Sequence, residues 1–355
     1  MQDFALDLLP SRVVFGVGTR VKAQAEVDRL GHRSALVLST PEQAGLAEEI
    51  SRNLGAASVG IFSSATMHTP VAISEAAVAR ARALNADVVV GVGGGSTVGL
   101  AKAIALRTGL DQIVLPTTYA GSEMTPIVGE TVDNLKITRR SPDILPEVVI
   151  YDVELTLSLP PRLSATSGLN AIAHAVEALY AQDWNPIHAL MAEEAVDVLG
   201  RALPQILRDP TDIAARSDAL YGAWLCGSCL GAVGMALHHK LCHTLGGTFN
   251  LPHSETHSVV LPYALAYNAA AAPRAAAAVA RALGTQDAIV GLYDLGRWLG
   301  APASLRELGM PESGIERAAD LAVSNPYWNP RPIERGAIRQ LLARAWAGDP
   351  PEREN

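Results

Sequence analysis

In the first half of the chain the spacing of apolar positions changes again and again. Short runs that are almost wholly apolar or β-branched (RVVFG, SALVLST, ASVGIF, ADVVVGVGG, QIVLPTT and EVVIYD) alternate with stretches whose apolar residues recur at helical spacing: VKAQAEVDRL, PEQAGLAEEISRNL, VAISEAAVARARAL and VGLAKAIALRTGL. Continuous apolar runs bounded by turn residues predict strands, and the three-to-four spacing between them predicts amphipathic helices. This alternation from about residue 12 to residue 151 predicts a mostly parallel sheet flanked by helices, with ligands at the carboxyl ends of its strands.

After TLSLPPR the pattern changes: from Ser164 onward the chain is Ala-rich and helical, with no convincing strand. The break near residues 155–163 sets a boundary, giving an α/β domain over 1–158 and an all-α domain over 159–355. AYNAAAAPRAAAAVARAL reads as two helices joined at Pro273, alanine being the best helix former. A cleft between the two domains is the expected active site.

Composition narrows the classes. At 355 residues the chain exceeds one small core, and 49% hydrophobic against 18% charged residues describes a buried globular protein, with disorder expected only in the tail GDPPEREN. A net charge of −8 argues against a nucleic-acid partner, although cations focused in a cleft could still hold an anionic small molecule. No apolar stretch reaches the length of a membrane span, and MQDFALDLLPSR lacks the basic start and apolar core of a signal peptide, so a cytoplasmic enzyme is expected. Cys226 and Cys229 form a C-x-x-C inside a helical pattern, without the preceding strand a redox motif needs; with Cys242 they read as small core residues.

Two regions carry candidate chemistry. VVVGVGGGSTVGLAK ends a strand in Gly93, Gly94 and Gly95 and opens a helix at Ser96, read as the N-cap; glycines and free N–H groups there suit a phosphate. The next strand leads into LPTTYAGSEMTP, which offers Thr117, Thr118, Tyr119 and Ser122 at the same sheet edge. Ser39 and Thr40 end the early strand where dinucleotide folds often carry an acid for the ribose 2′-hydroxyl, and an uncharged Thr40 would admit NADPH as well as NADH.

The second region is rich in imidazole. Asn170 and His174 are four residues apart in SGLNAIAHAVEALY and share a helix face, as do His239 and His243 in HHKLCHTLGGTFNLPH, which ends at His253. Five of the nine histidines fall between 238 and 257, so convergence on one site is expected, with His238 or His257 left as structural residues.

GGGS at 93–96, PTTxxxGSE at 116–123 and H-x3-H-x9-H over His239, His243 and His253 resemble the iron-containing alcohol dehydrogenase superfamily. That resemblance implies an α/β N-terminal dinucleotide-binding domain joined to an all-α C-terminal domain, a fold also like that of dehydroquinate synthase. STPEQ, ATMHTP, NAIAHAVEALYA, LPHSETH and NPRP, with the motifs above, are similar to the maleylacetate reductases within it. The resemblance implies a homodimer, a ribose contact for Lys136, and a metal site of one Asp with His174, His239 and His253, beside which His243 adjoins the nicotinamide. Here the Asp position is Asn170, and Gly99 stands where alcohol-reducing relatives carry Asp. An amide offers a neutral oxygen where a carboxylate offers charge, so metal affinity is expected to fall. The expected function is therefore NAD(P)H-dependent reduction of the C=C bond of a small dicarboxylate, with His243 as leading proton donor or enolate stabiliser. His174, His239, His253, Lys240 and Asn170 are its expected partners and no metal is needed. The alternative is a metal-dependent alcohol or polyol dehydrogenase acting on C=O.

Overall fold

The computed structural model describes residues 4, 6, 8, 9, 11–132 and 135–352. They form two compact units, Leu8–Leu159 and one containing Pro160–Asn355. In the first, chain order is β1 (Arg12–Gly16), α1 (Ala23–Leu30), β2 (Ala35–Leu38), α2 (Ala44–Leu54), β3 (Ser58–Phe62), α3 (Val71–Ala83), β4 (Val88–Gly93), α4 (Gly95–Thr108), β5 (Asp111–Pro116), β6 (Ile127–Val132), β7 (Leu135–Arg140) and β8 (Val148–Asp152).

Six of these strands form a parallel sheet in the order β1-β8-β5-β4-β2-β3. Every residue of β2, β4 and β8 is buried, as apolar runs covered by helices on both faces require. One face packs Val88, Val90, Val92, Ile113 and Ile150 against Val27 of α1 and Ile50 of α2. From β2 the chain moves outward to β3, then crosses back to β4 and continues to β5 and β8 on the other side. The order therefore reverses between β2 and β4, and the crevice at their carboxyl ends is where such sheets bind ligands.

The expected alternation fails at one place. Between β5 and β8 lies an antiparallel hairpin, β6 with β7, in register from Ile127↔Arg140 to Val132↔Leu135. Its polar, half-exposed residues lack the apolar run that marks the central strands, which is why the pattern hid it. Alternation is visible only on β6, where Val128 and Glu130 point inward and Glu130 pairs with Arg107 at 2.9 Å.

The second unit is helical: α5 (Pro161–Ala178), α6 (Pro186–Arg208), α7 (Ile213–Ala232), α8 (Leu237–Phe249), α9 (His253–Asn268), α10 (Pro273–Ala282), α11 (Ala288–Trp298), α12 (Gly314–Ser324) and α13 (Arg335–Ala347). Helices α9 and α10 part as Pro273 predicts, with the proline at the first position of α10. Leu237, Leu241 and Leu245 repeat every fourth residue along α8 and pack with Tyr263 and Tyr267 of α9, Ala318 and Ala322 of α12 and Ile338 and Leu342 of α13. With one face of α8 fixed in that core, its histidines are carried on the rest of its surface. Cys226, Cys229 and Cys242 are buried and unpaired as disulfides. Among the described residues no single helix is long and apolar enough to cross a membrane.

Candidate active site

In the α/β unit, the turns after β2, β4 and β5 meet at the reversal point. Gln43 Nε2, from the turn after β2, donates to Thr117 Oγ1 at 2.9 Å, and Thr117 N donates to the Gly93 carbonyl at 3.2 Å. Gly93 has φ 155°, and a Cβ there would lie 2.3 Å from Thr97 Oγ1 and 2.7 Å from Gln43 Oε1. Only glycine permits that approach. Gly94 is packed less closely but still without room for a side chain, its would-be Cβ 2.9 Å from Thr118 Cγ2.

The helix cap lies two residues earlier than the sequence implies. Gly94 is the N-cap of α4 and Ser96 is the second helical residue, so Ser96 is not the cap. No side chain caps the helix; the N–H groups of Thr97 and Val98 donate to the Gly94 carbonyl, which leaves those of Gly95 and Ser96 for an anionic ligand. Thr97 Oγ1 and Ser122 Oγ are buried nearby in the fold with no hydrogen-bond partner among the described residues.

Ser39 Oγ is engaged, 2.9 Å from the Thr40 carbonyl and 2.8 Å from Ser63 Oγ. Glu42 was not expected at this edge: its own backbone N–H and then the Thr40 hydroxyl hold its carboxyl below the usual carboxylate range. A carboxylate there favours a ribose 2′-hydroxyl over a 2′-phosphate. Tyr119 is wholly buried. The backbone of Lys136 lies on β7; its side chain is outside the described residues.

The loop after β5 is fastened to α4 by Lys102. Its ammonium donates to the carbonyls of Thr125 (2.7 Å), Ile127 (2.9 Å) and Ser122 and to Thr125 Oγ1 (2.9 Å). Burial pushes this lysine down to about 7. Glu123, also buried, accepts from the Tyr151 hydroxyl at 2.9 Å, and burial raises its carboxyl.

Gly99 has a steric reason. A Cβ there would lie 2.5 Å from Oγ1 of Thr69, a buried residue at φ 44° that follows His68 at φ 66°. Thr131 holds this strained pair, its N–H donating to the Thr69 carbonyl (3.2 Å) and its hydroxyl to that of His68 (3.1 Å). Gly99→Asp is expected to cost about 1–3 kcal/mol through overpacking. Differential scanning fluorimetry should show a lowered midpoint, largely restored by adding Thr69→Gly; strictly additive effects of the two substitutions would refute the contact.

In the helical unit, α5 carries Asn170, His174 and Glu177; α8 carries His238, His239, Lys240, Cys242 and His243; α9 begins at His253 and carries His257. The His174 and His239 rings are 5.1 Å apart, His239 and His243 6.0 Å, His239 and His257 5.0 Å, and His253 and His257 4.3 Å. The structure thus gathers His174, His239, His243 and His253 into one nest, with Asn170 one turn from His174 on α5 and Lys240 beside His239 on α8. Asn170, His174 and His239 are buried, Lys240 is half-buried and His243 and His253 are exposed.

His238 and His257 sit behind the nest, wholly buried, with His238 Nε2 3.0 Å from His257 Nδ1 and 3.7 Å from Cys242 Sγ. Donor atoms of these three lie within 4.8 Å of one another, but the ring nitrogens already bond each other.

Two partners were missed in sequence. Tyr327 places its hydroxyl 3.0 Å from His243 Nδ1 and its ring 5.8 Å beneath the Lys240 ammonium, a cation–π distance. Its loop is anchored by Asn329, which exchanges bonds with Asn268 at 2.7 and 2.9 Å; no spacing along the chain points to it. Glu177 was detectable, since it follows His174 by three residues on the same helical face.

Burial, and then the neighbouring imidazoles, drive His174, His238 and His257 well below the usual histidine value, so each rests neutral. Burial also lowers Lys240. Because the unfolded chain protonates these histidines near pH 6.5 and the native state does not, their contribution to stability is present above that pH and lost as pH falls below it. The melting temperature is expected to drop between pH 7.5 and pH 5, and less so in His257→Gln. A midpoint that does not move would contradict neutral burial.

A divalent metal at this nest would draw on Asn170 Oδ1 and His239 Nε2, both buried without a partner among the described residues, with His174 and His253. The donors are sufficient in number but bring no negative charge. Glu177, a buried carboxylate next to them, already accepts from His239 Nδ1 and the N–H groups of Ala236 and His238. The set does not fit the charged iron site that the resemblance implies.

Comparison with known proteins bears on the family and the fold. Residues 10–153 match the family model described as iron-containing alcohol dehydrogenase, and residues 164–346 match the C-terminal model of the same family. The chain is 59% identical to a maleylacetate reductase of Sphingobium indicum, over 98% of this chain and 99% of that one, and 57% identical to one from Rhizobium sp., over 99% and 100%. It is similar to the crystal structure of maleylacetate reductase from Agrobacterium tumefaciens, with a TM-score of 0.97 at 56% identity, covering 99% of this chain and 100% of that one. A structure of 1,3-propanediol oxidoreductase gives 0.91 at 25% identity, covering 97% and 100%. With both of its units matched by family models and its full length by close relatives, the chain belongs to the iron-containing alcohol dehydrogenase family.

Proposed function

We infer that this enzyme is an NAD(P)H-dependent oxidoreductase that reduces the C=C bond of maleylacetate, giving 3-oxoadipate in the breakdown of aromatic compounds. Full-length identity to maleylacetate reductases supports the activity. The observation that carries the mechanism is the neutral amide of Asn170 amid imidazoles beside which the buried carboxylate of Glu177 is spent on two backbone N–H groups and His239 Nδ1. Such a nest suits a dianion better than a cation.

The α/β unit holds the cofactor, its pyrophosphate at the open first turn of α4. The carboxylate of Glu42 weights the choice toward NADH, while uncharged Thr40 leaves NADPH acceptable. Hydride adds to the alkene carbon β to the ketone, the C=C pair moves toward the carbonyl, and negative charge develops on the enolate oxygen. The carbon between then takes a proton, so that maleylacetate, NAD(P)H and a proton give 3-oxoadipate and NAD(P)⁺. His243, exposed and oriented by the Tyr327 hydroxyl, is the proton donor or enolate stabiliser.

His174, His239, His253, Lys240 and Asn170 anchor the carboxylates. Asn170 can present its N–H₂ by turning its amide, an option closed to an aspartate. A carboxylate entering the nest favours the charged form of the imidazoles and reverses their resting neutrality. Turnover needs no metal, because the enolate charge is met by imidazole and ammonium. The enzyme works as a cytoplasmic homodimer, a reading supported by family analogy.

A second reading, a metal-dependent dehydrogenase acting on C=O, draws on the unpartnered lone pairs of Asn170 Oδ1 and His239 Nε2. The deciding measurement follows NADH and NADPH absorbance with freshly made maleylacetate before and after chelation, alongside elemental analysis. Chelator-resistant turnover is expected; loss of activity together with a stoichiometric metal would favour the second reading.

A further inference from the structure

Glu177 lies deep in the helical unit, fully buried on α5, one turn beyond His174. Its Oε2 accepts from the Ala236 N–H at 2.8 Å and from His239 Nδ1 at 2.7 Å, and its Oε1 accepts from the His238 N–H at 2.7 Å. Ala236 is the N-cap of α8 and His238 its second residue, and no side chain of α8 caps that end. The carboxylate of one helix therefore caps another and, through the same oxygen, holds a ring of the nest.

We propose that Glu177 is a positioning residue: it fixes His239 as the Nδ1–H tautomer, turns His239 Nε2 toward the substrate, and locks the first turn of α8, which carries Lys240 and leads into the turn that carries His243. A carboxylate is an acceptor at both oxygens, and here the three groups bonded to it are donors, with the Tyr180 hydroxyl beside them. Glutamine has one acceptor oxygen and one N–H₂. Whichever way it is placed, the N–H₂ confronts a backbone N–H, and on one side it confronts His239 Nδ1 as well. His239 can relieve that clash only by giving up its Nδ1 proton and becoming the Nε2–H tautomer. His239 Nε2 has no partner among the described residues and faces the ligand side: with Nδ1–H held by the carboxylate, the ring meets the substrate's carboxylate as an Nε2–H donor in the charged form that the incoming dianion favours. The ring's orientation is thus decided on the side away from the ligand, as outer partners commonly decide it for working imidazoles.

This inference builds on the reading that the nest grips maleylacetate, and its test separates the two. Long-range ¹H–¹⁵N spectra of enzyme labelled at histidine, recorded without substrate at pH 8 and assigned with His239→Asn, report the tautomer directly. His239 is expected to carry its proton on Nδ1 in the wild type and to shift toward Nε2–H in Glu177→Gln. In the same variant kcat/KM for maleylacetate should fall roughly 10- to 100-fold, while the Kd for NADH, bound by the other unit, stays near the wild-type value. A bare Nδ1 in the wild type overturns the proposal even if Glu177→Gln fails to fold. Wild-type kcat/KM in a folded Glu177→Gln overturns it as well. Failure of the wild type to reduce maleylacetate counts against the functional reading instead and leaves the tautomer result standing.

Discussion

Replacing His243 with alanine is expected to lower kcat by about 10²- to 10⁴-fold, the range a positioned proton donor supplies. The fall should not extend to the dinucleotide. The turns that converge on Gly93, Gln43 and Thr117 belong to the α/β unit and are held together by bonds among themselves. The Kd for NADH, read by fluorescence, should stay close to the wild-type value while turnover collapses. Tyr327→Phe gives a graded control: it removes the hydroxyl that lies 3.0 Å from His243 Nδ1 but keeps the imidazole, so its loss should be much smaller. An unchanged kcat in His243→Ala would dismiss the assignment.

Asn170→Asp should act in two directions at once. At the proposed anion site a carboxylate placed at this buried position would face the substrate's own carboxylate, and like charges about 4 Å apart repel by about 4 kcal/mol at an effective dielectric of 20. Screening and proton uptake by neighbouring imidazoles reduce that, leaving an expected loss on the order of 10²-fold in kcat/KM for maleylacetate. Zinc affinity, measured by calorimetry, should rise at least 10- to 100-fold as the site regains an anionic ligand. If the variant bound zinc no better and maleylacetate no worse, the amide would have no part in choosing between anion and cation.

Much of this was legible along the chain, for physical reasons that differ by region. The buried strands were visible because a sheet covered on both faces demands uninterrupted apolar runs, and β4 is one from Val88 to the glycines. The hairpin of β6 and β7 was not, since a half-exposed pair has no such demand. His239 and His243 could be paired because one helical turn fixes their relation. Tyr327 could not, because it comes to His243 from 84 residues away through a loop. The capping of α4 was misassigned because Ser96 has the chemistry of a cap, and only the backbone shows that Gly94 occupies that position. Glu177 was within reach of the sequence, but a glutamate on a helix is usually at the surface, and its burial is a property of the fold.

Lys102 has a consequence for kinetics. Its ammonium ties the segment after β5 to α4 through several backbone carbonyls, so the loop and the helix behave as one rigid body before any dinucleotide arrives. Little ordering entropy then remains to be lost on association, because the receptor is already assembled. A nucleotide entering at the proposed site would meet a segment already tied in place, so its capture is expected to be limited by encounter and not by rearrangement of the protein around it.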